Sequence, residues 1–219
     1  TARVEVTLLK QINQDATGST WLALSRPAKR LRRGDVLVFG GMPKGEVLER
    51  RHGGEVLVSF PLNRSDFLAV LETNGRMPIP PYLGREADTQ DTLDYQTVFA
   101  RKPGAVASPT ASLHVTEGLL SKLESKGISR VHVTLHVGAG TFRPIIVDDT
   151  DTHEMEAEWG EISAEAAKKI NQRKAEGGRI VALGTTSLRL LESAANSDGG
   201  ITPFTGETNL FITPGYRFK

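Results

Sequence analysis

The stretch Ala105–Arg143 reads AVASPTASLHVTEGLLSKLESKGISRVHVTLHVGAGTFR. It runs through a polar turn, a short helix, an apolar strand and a glycine-rich exit. Thr116 is placed to cap a helix whose Leu119, Leu120 and Leu123 face inward, and Gly127 ends it. Val131–Val137 then alternates: Val131, Val133, Leu135 and Val137 point one way, and His132, Thr134 and His136 the other. His114 and His136 stand at the ends of these elements, beside Pro109-Thr110-Ala111 and Gly138-Ala139-Gly140-Thr141-Phe142. A ligand would explain that juxtaposition.

Further along, Ser163–Glu176 has helical spacing, with Ala166, Ala167 and Ile170 inward and Gly177-Gly178 as its stop. Ile180–Leu183 reads as a buried strand, Gly184–Ser187 as a tight turn and Leu188–Ala195 as a third helix. Helix and strand alternate, which predicts an α/β domain with at least partly parallel pairing.

Upstream the pattern differs. Val4–Leu9, Trp21–Leu24, Val36–Phe39, Glu46–Glu49 and Glu55–Phe60 are short apolar runs separated by turn residues. No helix lies between them, so a small antiparallel barrel or sandwich is expected. A helix over Asn63–Gly75, with Ser65 suited to cap it, marks the change of character. The predicted organisation is a β-barrel domain at 1–62 and an α/β domain at 63–219, α+β overall. Three prolines within Met77–Tyr82 make a stiff extended segment, either a linker or the wall of a cleft.

The chain has 219 residues, 38% hydrophobic and 24% charged, enough apolar content for a sizeable core. It contains no cysteine, no run long and apolar enough to span a membrane and no secretory signal pattern at its start. A cytoplasmic location fits. Net charge is only +1, but residues 1–62 carry ten Lys/Arg against six Asp/Glu. Five of the eight residues from Arg26 to Arg33 are cationic: Arg26, Lys29, Arg30, Arg32 and Arg33. Such a cluster suits a phosphate backbone, and equally a solvated loop. Asp148–Glu165 holds eight acids and no Lys or Arg.

His132 and His136 have H-x-x-x-H spacing. On a strand they lie about 13 Å apart and do not share one tetrahedral zinc; no metal site is expected. The Gly138–Thr141 turn lacks the third glycine of a dinucleotide fingerprint, and Pro144 follows where a helix would have to start. It suits a turn offering backbone N–H groups to a polar ligand. Gly184-Thr185-Thr186-Ser187 suits an anion or a ribose better, with Arg189 as a further donor, or else is a simple capping turn. His114 and His136 have side chains that titrate near neutrality and suit proton transfer. His153 sits among Asp149, Asp151, Glu154, Glu156 and Glu158, a patch fit for a cationic ligand group or for solvent.

Taken together, Ser108–His114, Leu135–Phe142, Gly184–Arg189 and Pro214-Gly215-Tyr216 resemble the S-adenosylmethionine:tRNA ribosyltransferase-isomerases of queuosine biosynthesis. Met77–Tyr82 and Tyr95–Val98 fit the same pattern, collinear from Asn63 to Lys219; residues 1–62 match only by position, as that family's inserted β-barrel. The resemblance implies transfer and isomerisation of the ribosyl part of S-adenosylmethionine onto 7-aminomethyl-7-deazaguanine at the tRNA wobble position, with adenine and methionine released. It implies His114 and His136 as acid/base residues. It implies Pro109, Thr110, Ala111, Gly138, Gly140, Thr141, Phe142, Gly184, Thr185, Thr186 and Arg189 as the substrate-binding set. Glu158 or Glu156 would face the sulfonium or the amine. No metal or cofactor is implied, S-adenosylmethionine being a substrate, and a monomer is expected.

Two departures stand out. Glu156 occupies a place where the family's pattern often has a second histidine, and the family's V-I-P-A-R-type opening and T-N-F-H-L-P-type closing segments are absent. A partial chain of this kind is expected to be weak or inactive by itself. A non-catalytic tRNA-binding module using Arg26–Arg33, and another nucleoside-using α/β transferase, stand as alternatives.

Overall fold

The computed structural model describes residues 2–142 and 147–219. The chain forms two compact units, Thr1–Pro78 and Ile79–Lys219.

In the first unit five strands form one antiparallel sheet: β1 (Glu5–Gln14), β2 (Ser19–Arg26), β3 (Val36–Leu37), β4 (Gly45–Arg50) and β5 (Glu55–Phe60). Their order is β1-β2-β5-β4-β3. All five fall where the alternating runs predicted them, but β1 and β3 are not paired with each other. The sheet is open, not a closed barrel. Asp15 shapes the β1–β2 turn by accepting from the Thr17 and Gly18 N–H groups at 2.7 and 2.8 Å. The inner face carries Trp21, Ala23, Val47, Val56, Val58 and Phe60, all buried.

Helix α1 (Arg64–Asn74) closes this core. Asn63 caps it, its side chain accepting from the Asp66 N–H at 3.0 Å. Ser65, the expected cap, instead donates to Asn63 Oδ1 at 2.7 Å. Phe67 is fully buried, with its ring centroid 4.4 Å from Phe60 and 5.2 Å from Trp21. The helix therefore packs with the first sheet, and the units divide after Pro78 instead of after Leu62. Sequence periodicity locates the helix, but only the aromatic contacts decide which core it joins.

The second unit centres on a three-stranded antiparallel sheet: β6 (Thr134–Leu135), β7 (Glu158–Ile162) and β8 (Phe204–Thr208). Around it lie α2 (Asp91–Asp94), α3 (Glu117–Ser125), α4 (Ala164–Ala175) and α5 (Gly184–Ala194). Thr116 and Ser163 cap α3 and α4 as expected. Ile162, Ala166, Ala167, Leu190 and Ala194 make the core.

Four expectations need correction here, the first three for one reason. No parallel pair occurs among the described residues. Ile180–Leu183 is not a strand, and Val181 is 80% exposed. Of Val131–Val137 only Thr134 and Leu135 form a strand. The physical reason is the same in each case: β-branched residues favour an extended chain, but a strand exists only where a neighbour supplies N–H and C=O partners. Finally, Gly184–Ser187 is not a turn before a helix but the first turn of α5 itself.

Candidate functional site

Strand β7 organises the second unit's polar residues, because successive side chains on a strand point to opposite faces. Glu158, Gly160 and Ile162 are buried on one face; Trp159 and Glu161 lie half-buried on the other.

On the first face, Gly160 lets α5 approach. A methyl group there would lie 2.6 Å from Leu190 Cδ1 and would force the buried Leu190 side chain to shift. The approach brings Arg189, one residue before Leu190, against Glu158. Arg189 Nη1 donates to Glu158 Oε2 at 2.5 Å, and Arg189 Nε donates to the Leu210 carbonyl at 2.9 Å. The other carboxylate oxygen, Oε1, accepts from the Gly138 N–H at 2.7 Å. One buried carboxylate thus ties the glycine turn to the first turns of α5. Arg189 Nη2 is buried and has no partner among the described residues.

The Pro109–Ala111 turn reaches the same helix. Ala111 Cβ sits only 2.9 Å from where a Cβ on Gly184 would be, and Gly184 has φ +85°. Three of the expected segments, Pro-Thr-Ala, Gly-Ala-Gly and Gly-Thr-Thr, are therefore linked through α5 and Glu158. Gly140 lies against the Glu156 carboxylate, where a methyl would approach Oε2 to 2.9 Å. Thr141 and Phe142 close the short 3-10 turn Ala139–Phe142; the expectation resting on Arg143 and Pro144 lies outside the described residues. Thr110 and Thr185 are exposed, and Thr186 is half-buried.

The histidines sit elsewhere. His136 pairs backbone to backbone with Trp159, its N–H donating to the Trp159 carbonyl at 2.9 Å. Its ring stacks on the indole with centroids 5.1 Å apart at 21°. This is the face of Trp159, opposite to that of Glu158 and Arg189. Gly104 covers the ring's surroundings so closely that a methyl there would lie 2.7 Å from His136 Cε1. Burial, and then the positive charge of Lys102, holds the His136 imidazole below its ordinary range. Lys102 itself pairs with Glu161 at 2.5 Å. His114 is exposed and makes no hydrogen bond or ring contact among the described residues. His153 packs against Phe211, with centroids 5.1 Å apart.

Each Glu158 oxygen already accepts one bond, Oε1 from the Gly138 N–H and Oε2 from Arg189. Trp159, Lys102, Gly104 and Glu161 were not foreseen. The E-W-G-E-I alternation of β7 was a readable strand signal, masked by the surrounding acids. Glu192, only 9% exposed, accepts from the Tyr216 hydroxyl and the Lys219 N–H, both at 3.1 Å; a lone Glu on α5 gave no hint of this. Tyr95, 9% exposed, has its phenol held above the ordinary range by burial.

In the first unit, Arg26, Lys29, Arg30, Arg32 and Arg33 are all exposed around the short turn Ala28–Arg30 that follows β2. Their side chains form no ion pair among the described residues. They present a compact block of positive charge.

A protein with these linked turns and this α+β second unit belongs, by direct comparison, to a defined class. The family model described as "Queuosine biosynthesis protein" matches residues 1–219, and the chain belongs to that family. The S-adenosylmethionine:tRNA ribosyltransferase-isomerase of Methylocella silvestris is 52% identical over 223 residues, covering 100% of this chain and 61% of that protein. The protein of the same name from Zymomonas mobilis is 55% identical over 201 residues, covering 91% of this chain and 58% of its own length. The chain thus spans about three fifths of the curated relatives it matches. The solved S-adenosylmethionine tRNA ribosyltransferase of Thermotoga maritima is 23% identical, with 100% of this chain and 56% of that one covered; its TM-score of 0.39 carries no argument.

Proposed function

We propose that this chain is part of an S-adenosylmethionine:tRNA ribosyltransferase-isomerase. It binds S-adenosylmethionine through the linked turns of the second unit and transfers and isomerises the ribosyl moiety onto 7-aminomethyl-7-deazaguanine in tRNA. Adenine and methionine leave, and epoxyqueuosine-tRNA results. The observation that carries the reading is the Gly138–Glu158–Arg189 link, which joins the glycine turn to α5 beside the Ala111–Gly184 contact. Backbone N–H groups, small residues and a cationic fork held together in this way suit a nucleoside and its polar tail.

The chemistry asks for groups that titrate near neutrality. Sulfonium acidifies its adjacent hydrogens, adenine departs better when protonated, and the attacking amine must be neutral. Exposed His114 serves as the proton donor that meets substrate at the surface; His136, kept uncharged on the Trp159 face of β7, serves as a base only toward a substrate group that reaches past the Gly138 turn from the Arg189 face. No metal or cofactor takes part. The Arg26–Arg33 block takes the tRNA backbone, the first unit being the family's inserted domain. The protein works as a cytoplasmic monomer.

Incubation with S-adenosylmethionine and tRNA bearing the aminomethyl base, followed by measurement of adenine, tests the reading. Adenine formed only with that tRNA supports it. A second reading, a tRNA-binding module without catalysis, is favoured by the Arg26–Arg33 block, whose side chains form no ion pair among the described residues, and salt-sensitive tRNA binding without adenine would establish it instead.

A further inference from the structure

Arg189 carries five N–H donors in a rigid fork. Two edges are spent, on Glu158 and on the Leu210 carbonyl, while Nη2 is buried with no acceptor among the described residues. A buried donor left unmatched is destabilising, more so when charged, so native proteins seldom keep one without use. The charge count then limits what can be used. The guanidinium contributes one positive charge and Glu158, 9% exposed, one negative. The pair is already neutral. A carboxylate or phosphate on Nη2 would leave a net negative charge in a buried place, which is strongly unfavourable. An uncharged acceptor leaves the balance intact.

We infer that Arg189 Nη2 is the donor for an uncharged acceptor on the nucleoside portion of the ligand, a ribose oxygen or a ring nitrogen, and that Glu158 sets this preference by neutralising the guanidinium. This rests on the ligand class proposed above. Arg189 is then a nucleoside-binding residue and not the anchor of the amino-acid carboxylate. Glu158 is a positioning residue, fixing the fork from one oxygen and the glycine turn from the other.

The test uses isothermal titration of the chain with S-adenosylmethionine and with decarboxylated S-adenosylmethionine, which keeps the nucleoside and lacks the carboxylate. Arg189→Lys keeps a cation beside Glu158 and removes the fork. It is expected to weaken both ligands by the same factor, about tenfold for one charge-assisted hydrogen bond. Glu158→Gln leaves the guanidinium uncompensated and should shift the affinity ratio several-fold toward the carboxylate-bearing ligand. Thermal melts report whether each variant is folded. If Arg189→Lys weakens only S-adenosylmethionine, Arg189 holds the carboxylate and the inference falls. If it weakens neither, or if Glu158→Gln leaves the ratio unchanged, the inference also falls while the ligand assignment stands. Failure of the unaltered chain to bind either ligand would overturn both.

Discussion

Gly184 and Ala111 meet so closely that a methyl group on Gly184 would lie 2.9 Å from the Ala111 Cβ. Neither atom is the end of a flexible side chain, so an added methyl cannot be accommodated by rotating a bond. Gly184 also has φ +85°, a conformation that side chains rarely adopt. Gly184→Ala is therefore expected to destabilise the protein by about 1–3 kcal/mol from backbone strain, with a packing penalty added. Pairing it with Ala111→Gly should recover the packing part and leave the backbone part. Thermal denaturation of the single and double variants separates the two; full recovery in the double variant would show that backbone strain is absent.

His136 stacks on Trp159 and is shielded by Gly104, and burial disfavours its charged form. A histidine depressed in the folded state binds its proton more readily when unfolded. Stability is then full above the ordinary value of 6.5 and declines as pH falls below it, toward the lower folded value. In an NMR titration the His136 midpoint should lie below 6.5. Lys102→Ala should raise it only partway, because burial is the larger cause. A midpoint above 6.5 would remove the argument for His136 as a base that is neutral at physiological pH.

How legible this site was in the sequence varied with how local its causes are. The five strands of the first unit follow from alternation within each run, and Thr116 and Ser163 cap their helices because the cap interaction spans three residues. In the sequence Glu158 reads as one acid of a patch fit for a cationic ligand group or for solvent. Its burial depends on Arg189, 31 residues on, and on Gly138, 20 residues back, neither of which periodicity can reveal. The division of the site by β7 was equally hidden. His136 and Arg189 were expected to line one pocket, yet the register His136 opposite Trp159 puts the imidazole on the far face from the guanidinium. Ile180–Leu183 has the composition of a buried strand, and composition does not say whether a partner strand is beside it.

Asp91 shows a different kind of electrostatic control. Arg85 grips both of its oxygens, at 2.6 and 2.7 Å, and the Asp88 N–H adds a third bond at 2.9 Å. The Arg85 hydrogen bonds, and next the Asp88 N–H, hold the carboxyl down at about 2. For a depressed carboxylate the stabilisation is present above its ordinary value of 3.8 and is lost as pH falls through the folded value near 2. Arg85→Ala should move the Asp91 titration up toward or past 3.8 and bring the onset of acid destabilisation with it. Carboxyl NMR shifts between pH 1.5 and 6 check this; an unmoved Asp91 midpoint would mean that the backbone N–H alone sustains the shift.

The first unit's cation block gives a prediction about salt rather than about affinity at one condition. Each phosphate neutralised on a nucleic acid releases counterions, and log K falls with log salt by about 0.7–0.9 per contact. Arg26, Lys29, Arg30 and Arg33 are exposed, and their side chains form no ion pair among the described residues, so replacing them breaks no internal bond. The four-fold glutamine variant should melt like the parent chain to within a few degrees. Its tRNA affinity should fall, and the slope should flatten by about 2–4 if most of the four side chains meet phosphates. Binding measured from 50 to 300 mM salt gives that slope directly. A variant that binds more weakly with an unchanged slope would place these residues away from the backbone, and one unchanged in both would leave the block as a solvated loop.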